Sequence, residues 1–269
     1  MSTEDIELLR RDFLEIYGYD FSGYSYASFK RRLERLYSFD KFPDFISFRR
    51  KLCEEPDYFE YAVTEISVTV TEMFRDPGFY RVLREKVIPI LATYPLIRIW
   101  HAGCSTGEEV YSMAILLQEA NLLHKSLLYA TDINPLVLEK ARTGIYANTY
   151  MQQYSRNYQQ AGCTREFSSY YTANYNYVKF DEQLSSRMIF ATHNLVSDHS
   201  FNSFQLILCR NVLIYFEKDL QSRVLNLFDR SLEHLGFLAL GTKESLRFSS
   251  IAHMYKQFEG REKIWKKIK

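Results

Sequence analysis

Ile97-Arg98-Ile99-Trp100-His101-Ala102-Gly103-Cys104-Ser105-Thr106-Gly107 joins a short apolar run to a turn of small residues, and Glu108-Glu109 then opens a helical pattern. Strand, glycine turn and helix N-terminus together make the cradle in which an α/β sheet binds a nucleotide. The glycines let backbone N–H groups approach a ligand, and the helix end favours negative charge. Taken alone, a G-x-x-x-G turn is a common feature. The reading depends on the chain around it.

Downstream, apolar strands alternate with helical periodicity. The pattern predicts strands over 96–100, 126–130, 204–208 and 236–241. Helices are predicted over 79–91, 108–120, 136–142 and 218–235. This β-α-β-α-β order argues for a doubly wound parallel sheet. Between 146 and 190 the alternation breaks into a segment rich in Tyr, Asn, Gln and Ser. Its short runs Y-N-Y-V-K-F and R-M-I-F-A-T read as strands of a small antiparallel insertion, placed at about 165–191. The end of the chain, around Glu259-Gly260, reads as a hairpin.

Upstream, residues 1–65 carry helical spacing and no sheet signal. Ile6, Leu9, Phe13 and Ile16 mark one amphipathic helix, and Phe29, Leu33 and Leu36 a second. Phe45, Phe48 and Leu52 mark a third, opened by Pro43. The expected organisation is a helical N-terminal domain and linker start over 1–70, followed by an α/β domain over 71–269. Charge is uneven in the helical part. Residues 28–52 hold eight basic and three acidic residues, and 53–76 one basic and seven acidic. Lys30, Arg31, Arg32 and Arg35 read either as a solvated helix face or as a docking surface for an acidic protein partner.

The whole-chain properties exclude several classes. The 269 residues have a formal charge of +1, which argues against a nucleic-acid partner. No apolar run reaches about 18 residues, so no membrane insertion is expected. The N-terminus lacks a secretory pattern, and Cys53, Cys104, Cys163 and Cys209 form no C-x-x-C. Both features suit reduced thiols in a cytoplasmic protein. His193, Asp198 and His199 lack a third ligand at useful spacing, so no metal is expected. Ser105 is not in a G-x-S-x-G elbow.

Chemistry is expected at the carboxyl ends of the strands. Those ends carry Ala102-Gly103-Cys104, Asp132, Asn194-Leu195 and Arg210-Asn211. An acid such as Asp132 at the end of the second strand suits ribose hydroxyls. The first turn lacks G-x-G-x-x-G, which favours a nucleoside cofactor without pyrophosphate. S-adenosylmethionine (SAM) is therefore preferred over NAD. Arg75, before Pro77-Gly78, has the planar fork for a ligand carboxylate or serves as a surface residue.

The motifs T-E-M-F-R-D, H-A-G-C-S-T-G-E-E-V-Y-S, A-T-D-I-N, L-E-K-A-R-T-G-I-Y, N-L, C-R-N-V-L-I-Y-F and G-T-K-E-S-L stand in order. Together they resemble the CheR family, SAM-dependent methyltransferases that methylate glutamates of bacterial chemoreceptors. The resemblance covers the whole chain. It implies a Rossmann-like class I methyltransferase domain with an inserted antiparallel β-subdomain, after an all-α N-terminal domain. It implies cofactor contacts from Thr69, Thr71 and Arg75 in the linker, Thr69 standing where the family often has asparagine. Ala102 and Glu108 would line the cofactor near the first strand. Asp132 would hold the ribose, Asn194 and Leu195 would flank the adenine, and Arg210 and Asn211 would close the far side. Arg75 and Tyr215 would act at the methyl-transfer centre, and S-adenosylhomocysteine (SAH) would be the product.

The partners implied are methyl-accepting chemoreceptor cytoplasmic helices, which Lys30, Arg31, Arg32 and Arg35 would steer to the cleft. The protein is expected to act as a monomer. The insertion lacks the glycine-bearing turn associated with tail-peptide binding, so tethering to a receptor tail is not carried over. Rival readings are a SAM-dependent methyltransferase for another protein or a small molecule, and a SAM-binding or SAH-binding sensor with little catalysis.

Overall fold

A computed structural model describes residues 1–67 and 70–269. The chain opens with four helices: α1 (Thr3–Tyr17), α2 (Tyr26–Phe39), α3 (Phe45–Glu54) and α4 (Pro56–Ile66). Ser2 and Asp5 form a capping box on α1, satisfying N–H groups that a helix start leaves open. Pro56 sits at the first position of α4, where its missing N–H costs nothing. The predicted apolar stripes meet in a separate core built on Phe13, Phe29, Leu33, Phe48 and Phe59. Ile16 is the exception: it lies half exposed on α1.

The linker leads into α5 (Pro77–Val82), which continues through a π-helical turn, Leu83–Val87, into α6 (Ile88–Leu91). Then come β1 (Ile97–Ala102), α7 (Glu108–Glu119), β2 (Ser126–Asp132) and α8 (Pro135–Thr143). The insertion supplies β3 (Ile145–Ala147), α9 (Met151–Gln160), β4 (Tyr171–Asn174) and β5 (Tyr177–Phe180). After the short α10 (Glu182–Ser185) follow β6 (Met188–Thr192), β7 (Phe204–Cys209), α11 (Lys218–Ser231), β8 (Leu232–Leu240), β9 (Tyr255–Glu259) and β10 (Ile264–Lys267).

The main sheet has seven strands in the order β6-β2-β1-β7-β8-β10-β9. Strands β6 to β8 pair in parallel, and the terminal β9–β10 hairpin closes the edge antiparallel. Every residue of β7 is buried, as expected of a strand covered on both faces. The order reverses between β1 and β7, so a ligand crevice opens outside the carboxyl ends of these strands.

Three boundaries differ from the sequence-based expectation: the insertion, expected from about 165, already includes β3, which pairs with β5 from Ile145↔Lys179 to Ala147↔Tyr177. Residues 188–192 do not belong to the insertion, which is the three-stranded sheet β3-β5-β4. They form β6, paired with β2 from Leu128↔Met188 to Asp132↔Thr192. Their partly exposed, alternating character suits an edge strand of either sheet, so only the long-range pairing decides. The helix expected to reach 235 stops at Ser231, because Leu232 already pairs with Phe204.

The helical module docks on the sheet domain beside the crevice. Ser25 N–H donates to the Tyr215 carbonyl (2.8 Å) and Glu217 N–H to the Gly23 carbonyl (2.9 Å). Tyr24 and Phe216 form an antiparallel bridge between these bonds. A Cβ at Gly23 would lie 2.7 Å from Leu220 Cδ2, so this close approach needs glycine. On the other side, Asn134 Nδ2 donates to Thr64 Oγ1 at 3.0 Å. No helix among the described residues is long and apolar enough to cross a membrane.

Candidate active site

A cavity lies at the carboxyl ends of β1, β2, β6 and β7, with the linker and helical module as its outer wall. Gly103, Cys104 and Ser105 line it after β1, and Asp132 and Ile133 after β2. His193, Asn194 and Leu195 follow β6, and Arg210, Asn211, Val212 and Tyr215 follow β7. Val70, Thr71, Glu72 and Arg75 come from the linker; Tyr24, Ser28, Phe29, Ile66 and Ser67 come from the helices. Gly103 has a φ of 79°, and a Cβ there would lie 2.6 Å from Val212 Cγ2. The first turn thus passes close under the loop after β7.

Asp132 is held with its carboxylate set. Ser105 N–H donates to Oδ2 at 2.9 Å and Asn134 N–H to Oδ1 at 3.0 Å. Burial raises the Asp132 carboxyl above its ordinary range, against the pull of these N–H groups. An acceptor fixed at the end of β2 inside the crevice matches what ribose hydroxyls require. The remaining lining, part apolar and part hydrogen-bonding, fits a nucleoside cofactor without phosphates.

Arg210 is a buried clamp. Its Nη2 meets Asp76 Oδ2 at 2.5 Å, and its Nη1 reaches the Arg75 carbonyl at 3.3 Å and Glu109 Oε2 at 3.5 Å. The guanidinium lies 4.1 Å over the Phe79 ring. These contacts hold the linker, whose Phe74 and Asp76 adopt positive φ, against the end of β7. Burial alone would raise the Glu109 carboxyl, but hydrogen bonds from His101 (2.9 Å) and Arg210 outweigh it and leave its pKa lowered. Because Glu109 is then ionised and accepts only, His101 Nδ1 carries the donated proton.

Glu244 builds the loop after β7. Its Oε1 accepts N–H bonds from Val212 (2.9 Å) and Ile214 (3.3 Å). Its Oε2 accepts from Gly241 (2.6 Å) and Asn211 (3.1 Å). One buried carboxylate thereby fixes Asn211, at a φ of 61°, and the segment that delivers Tyr215 to the cavity. Burial raises the Tyr215 phenol above its ordinary value, with Arg32, Arg75 and Arg31 pulling the other way. Tyr215 is therefore a protonated donor at neutral pH.

A family model described as "CheR methyltransferase, SAM binding domain" matches residues 69–264. The chain belongs to the CheR methyltransferase family. It is a SAM-dependent methyltransferase, and SAM is its cofactor. A Pseudomonas putida relative bearing the name Cher3 is 46% identical over 98% of this chain and 96% of its own length. The "Chemotaxis protein methyltransferase 1" of Vibrio cholerae is 34% identical over 69% of this chain and 68% of its own. The "Chemotaxis protein methyltransferase" of Listeria innocua is 28% identical over 85% of each chain.

Within this CheR-family fold, the structure brings Thr71, Arg75, Asp132, Asn194, Leu195, Arg210, Asn211 and Tyr215 to one cavity. Two expected residues do not line it. Ala102 is buried within β1, under the turn rather than facing the cavity. The Glu108 carboxylate turns away and accepts from the Thr106 hydroxyl at 2.6 Å. Glu109 takes the lining position instead, because successive side chains on a helix point about 100° apart. Thr69 lies outside the described residues.

Asn194 acts locally as a loop former: its Oδ1 accepts from Val196 N–H at 2.9 Å, and its own N–H donates to Asp198 at 2.8 Å. Asp198 is thereby used in a turn. Among the described residues no cluster of His, Cys, Asp and Glu could hold a metal. The basic helix is also less uniform than expected. Lys30 pairs with Glu34 at 3.8 Å, while Arg31 and Arg32 bear on Tyr215 at the cavity. Arg32 also donates to the Glu65 carbonyl at 3.2 Å, and Arg35 acts on Tyr61. Glu109, Glu244 and Tyr24 are among the site residues that the sequence reading did not single out. Glu109 and Glu244 stand inside motifs quoted above; Tyr24 has no local signal.

Proposed function

We propose that the protein transfers the methyl group of SAM to glutamate side chains on acidic helices of a bacterial chemoreceptor, giving methyl esters. The observation that carries this reading is that Arg75 and Tyr215 line the cavity together, with the positive charges of Arg32, Arg75 and Arg31 acting on the Tyr215 phenol. A net positive field on a protonated donor suits an anionic nucleophile brought in on an acidic surface. The relatives named chemotaxis protein methyltransferase support the same substrate class.

Bound SAM supplies a methyl group on a positively charged sulfur, ready for displacement. Asp132 would hold its ribose side, Asn194 and Leu195 would bound the adenine side, and Arg210 and Asn211 would close the far side. The substrate glutamate is ionised at neutral pH, since its ordinary pKa is about 4.3. No general base is needed. A substrate carboxylate oxygen would take the methyl group that SAM supplies, with the carbon–sulfur electron pair left on the sulfur of SAH. The residues of this chain contribute alignment: Tyr215 orients the nucleophile, and Arg75 neutralises a carboxylate of substrate or cofactor. The helical module and linker keep water from the reacting atoms.

The test pairs purified protein and SAM with a receptor cytoplasmic fragment, against the same fragment with its methylation-segment glutamates changed to alanine. Mass spectrometry should find methyl groups on glutamates of the first and none on the second. Equal labelling of both fragments, or of neither, would contradict the proposal.

A further inference from the structure

Tyr24 belongs to the helical module yet lines the cofactor cavity. Its main chain and ring are accounted for. The N–H donates to the Phe21 carbonyl at 3.1 Å, and the carbonyl accepts from Arg10 at 2.9 Å. The ring packs edge-on against Phe21 (4.9 Å) and Phe216 (5.0 Å). The hydroxyl has no hydrogen-bond partner among the described residues. Burial first, then the charges of Asp132 and Asp20, push this phenol upward, so it stays a donor. A donor held on the cavity wall within reach of the field of Asp132, with no acceptor of its own, fits a ligand that supplies the acceptor.

We propose that Tyr24 is a cofactor-contacting residue: its hydroxyl donates to the adenosine part of SAM, opposite Asp132. The contact has a consequence for the docking module. Gly23 and Ser25 on either side of Tyr24 form the backbone bridge to Tyr215 and Glu217. Ser25 is also the residue that starts α2, the helix of Arg31, Arg32 and Arg35. Cofactor occupancy is therefore linked to the seating of the helix assigned to substrate docking. The link rests on the SAM reading of the cavity, which binding of SAH to the unmodified protein checks separately.

The experiment compares wild type, Tyr24→Phe and Tyr26→Phe by calorimetry with SAH and by thermal unfolding with and without it. Phenylalanine at 24 keeps the ring packing and removes one hydroxyl. Tyr26 has a buried hydroxyl without a partner and does not line the cavity, so it serves as the control. Tyr24→Phe should weaken SAH binding about three- to tenfold, the worth of one neutral hydrogen bond. It should shrink the rise in Tm caused by SAH and leave the unliganded Tm unchanged, while Tyr26→Phe binds SAH as wild type does. Wild-type SAH affinity in Tyr24→Phe overturns the contact. Amide hydrogen exchange over residues 23–39 should slow when SAH binds the wild type and slow less in Tyr24→Phe. Exchange there that ignores SAH overturns the link to the docking helix. A wild type that fails to bind SAH would instead overturn the cofactor reading itself.

Discussion

Replacing Glu244 with glutamine changes one atom of a side chain that no substrate needs to touch, yet it should disable the site. Each carboxylate oxygen accepts two backbone N–H bonds, Val212 and Ile214 on one, Gly241 and Asn211 on the other. The amide presents its NH2 to one of these donor pairs, so two charge-assisted bonds are lost and donors face donors. Such bonds contribute roughly 1.5–3 kcal/mol each. Part of this is offset, because burial already disfavours the Glu244 charge and raises its pKa. The net loss should be about 2 kcal/mol, or a fall in Tm of roughly 4–8 °C for a domain of this size. The larger effect is on turnover. The freed loop carries Asn211 and Tyr215, and a misplacement of about 1 Å can cost on the order of a hundredfold in rate. Differential scanning calorimetry and a steady-state methyl-transfer assay read the two effects. Wild-type stability together with wild-type turnover in Glu244→Gln would refute the role assigned to this carboxylate.

Arg75→Ala should lower methyl transfer about ten- to a hundredfold in a radiolabel assay, the worth of one lost charged hydrogen bond. Arg31→Glu combined with Arg35→Glu should raise KM for a receptor fragment and flatten its dependence on ionic strength, read by initial rates from low to moderate salt. Asp132 accepts from a ribose most strongly when ionised, and its pKa is raised by burial. SAH affinity should therefore fall on acidification at a pH above the ordinary aspartate value of about 3.9. In Asp132→Asn the affinity should be weaker and flat over that range, as calorimetry at stepped pH would show.

The parallel sheet and its crevice were legible because β1, β7 and the turns after them carry strong local signals. The largely apolar run Phe204–Cys209 and the small-residue turn at 102–107 place the switch point without any long-range information. The cavity-lining acids and arginines after β2 and β7 were legible for the same reason. What stayed hidden depends on pairing and rotation. The strand at 188–192 alternates equally well for the insertion or the sheet edge, and only its contact with β2 settles it. Glu108 and Glu109 look interchangeable in sequence, and the start of α7 after Gly107 decides which one faces the cavity. Glu244 and Arg210 act on segments 30 and more residues away, Arg210 reaching Asp76 across the sheet domain. Tyr24 is further removed still, since its role arises only where the helical module meets the loop after β7.

The most direct test is the chemical nature of the transferred group. The protein is incubated with SAM labelled in its methyl group and a chemoreceptor cytoplasmic fragment, and the isolated fragment is treated with mild base. Carboxyl methyl esters hydrolyse under these conditions, so the label should leave as volatile methanol, in proportion to the glutamates modified. A label that survives base, or SAH binding without any label on the receptor fragment, would contradict glutamate methylation as the activity of this site.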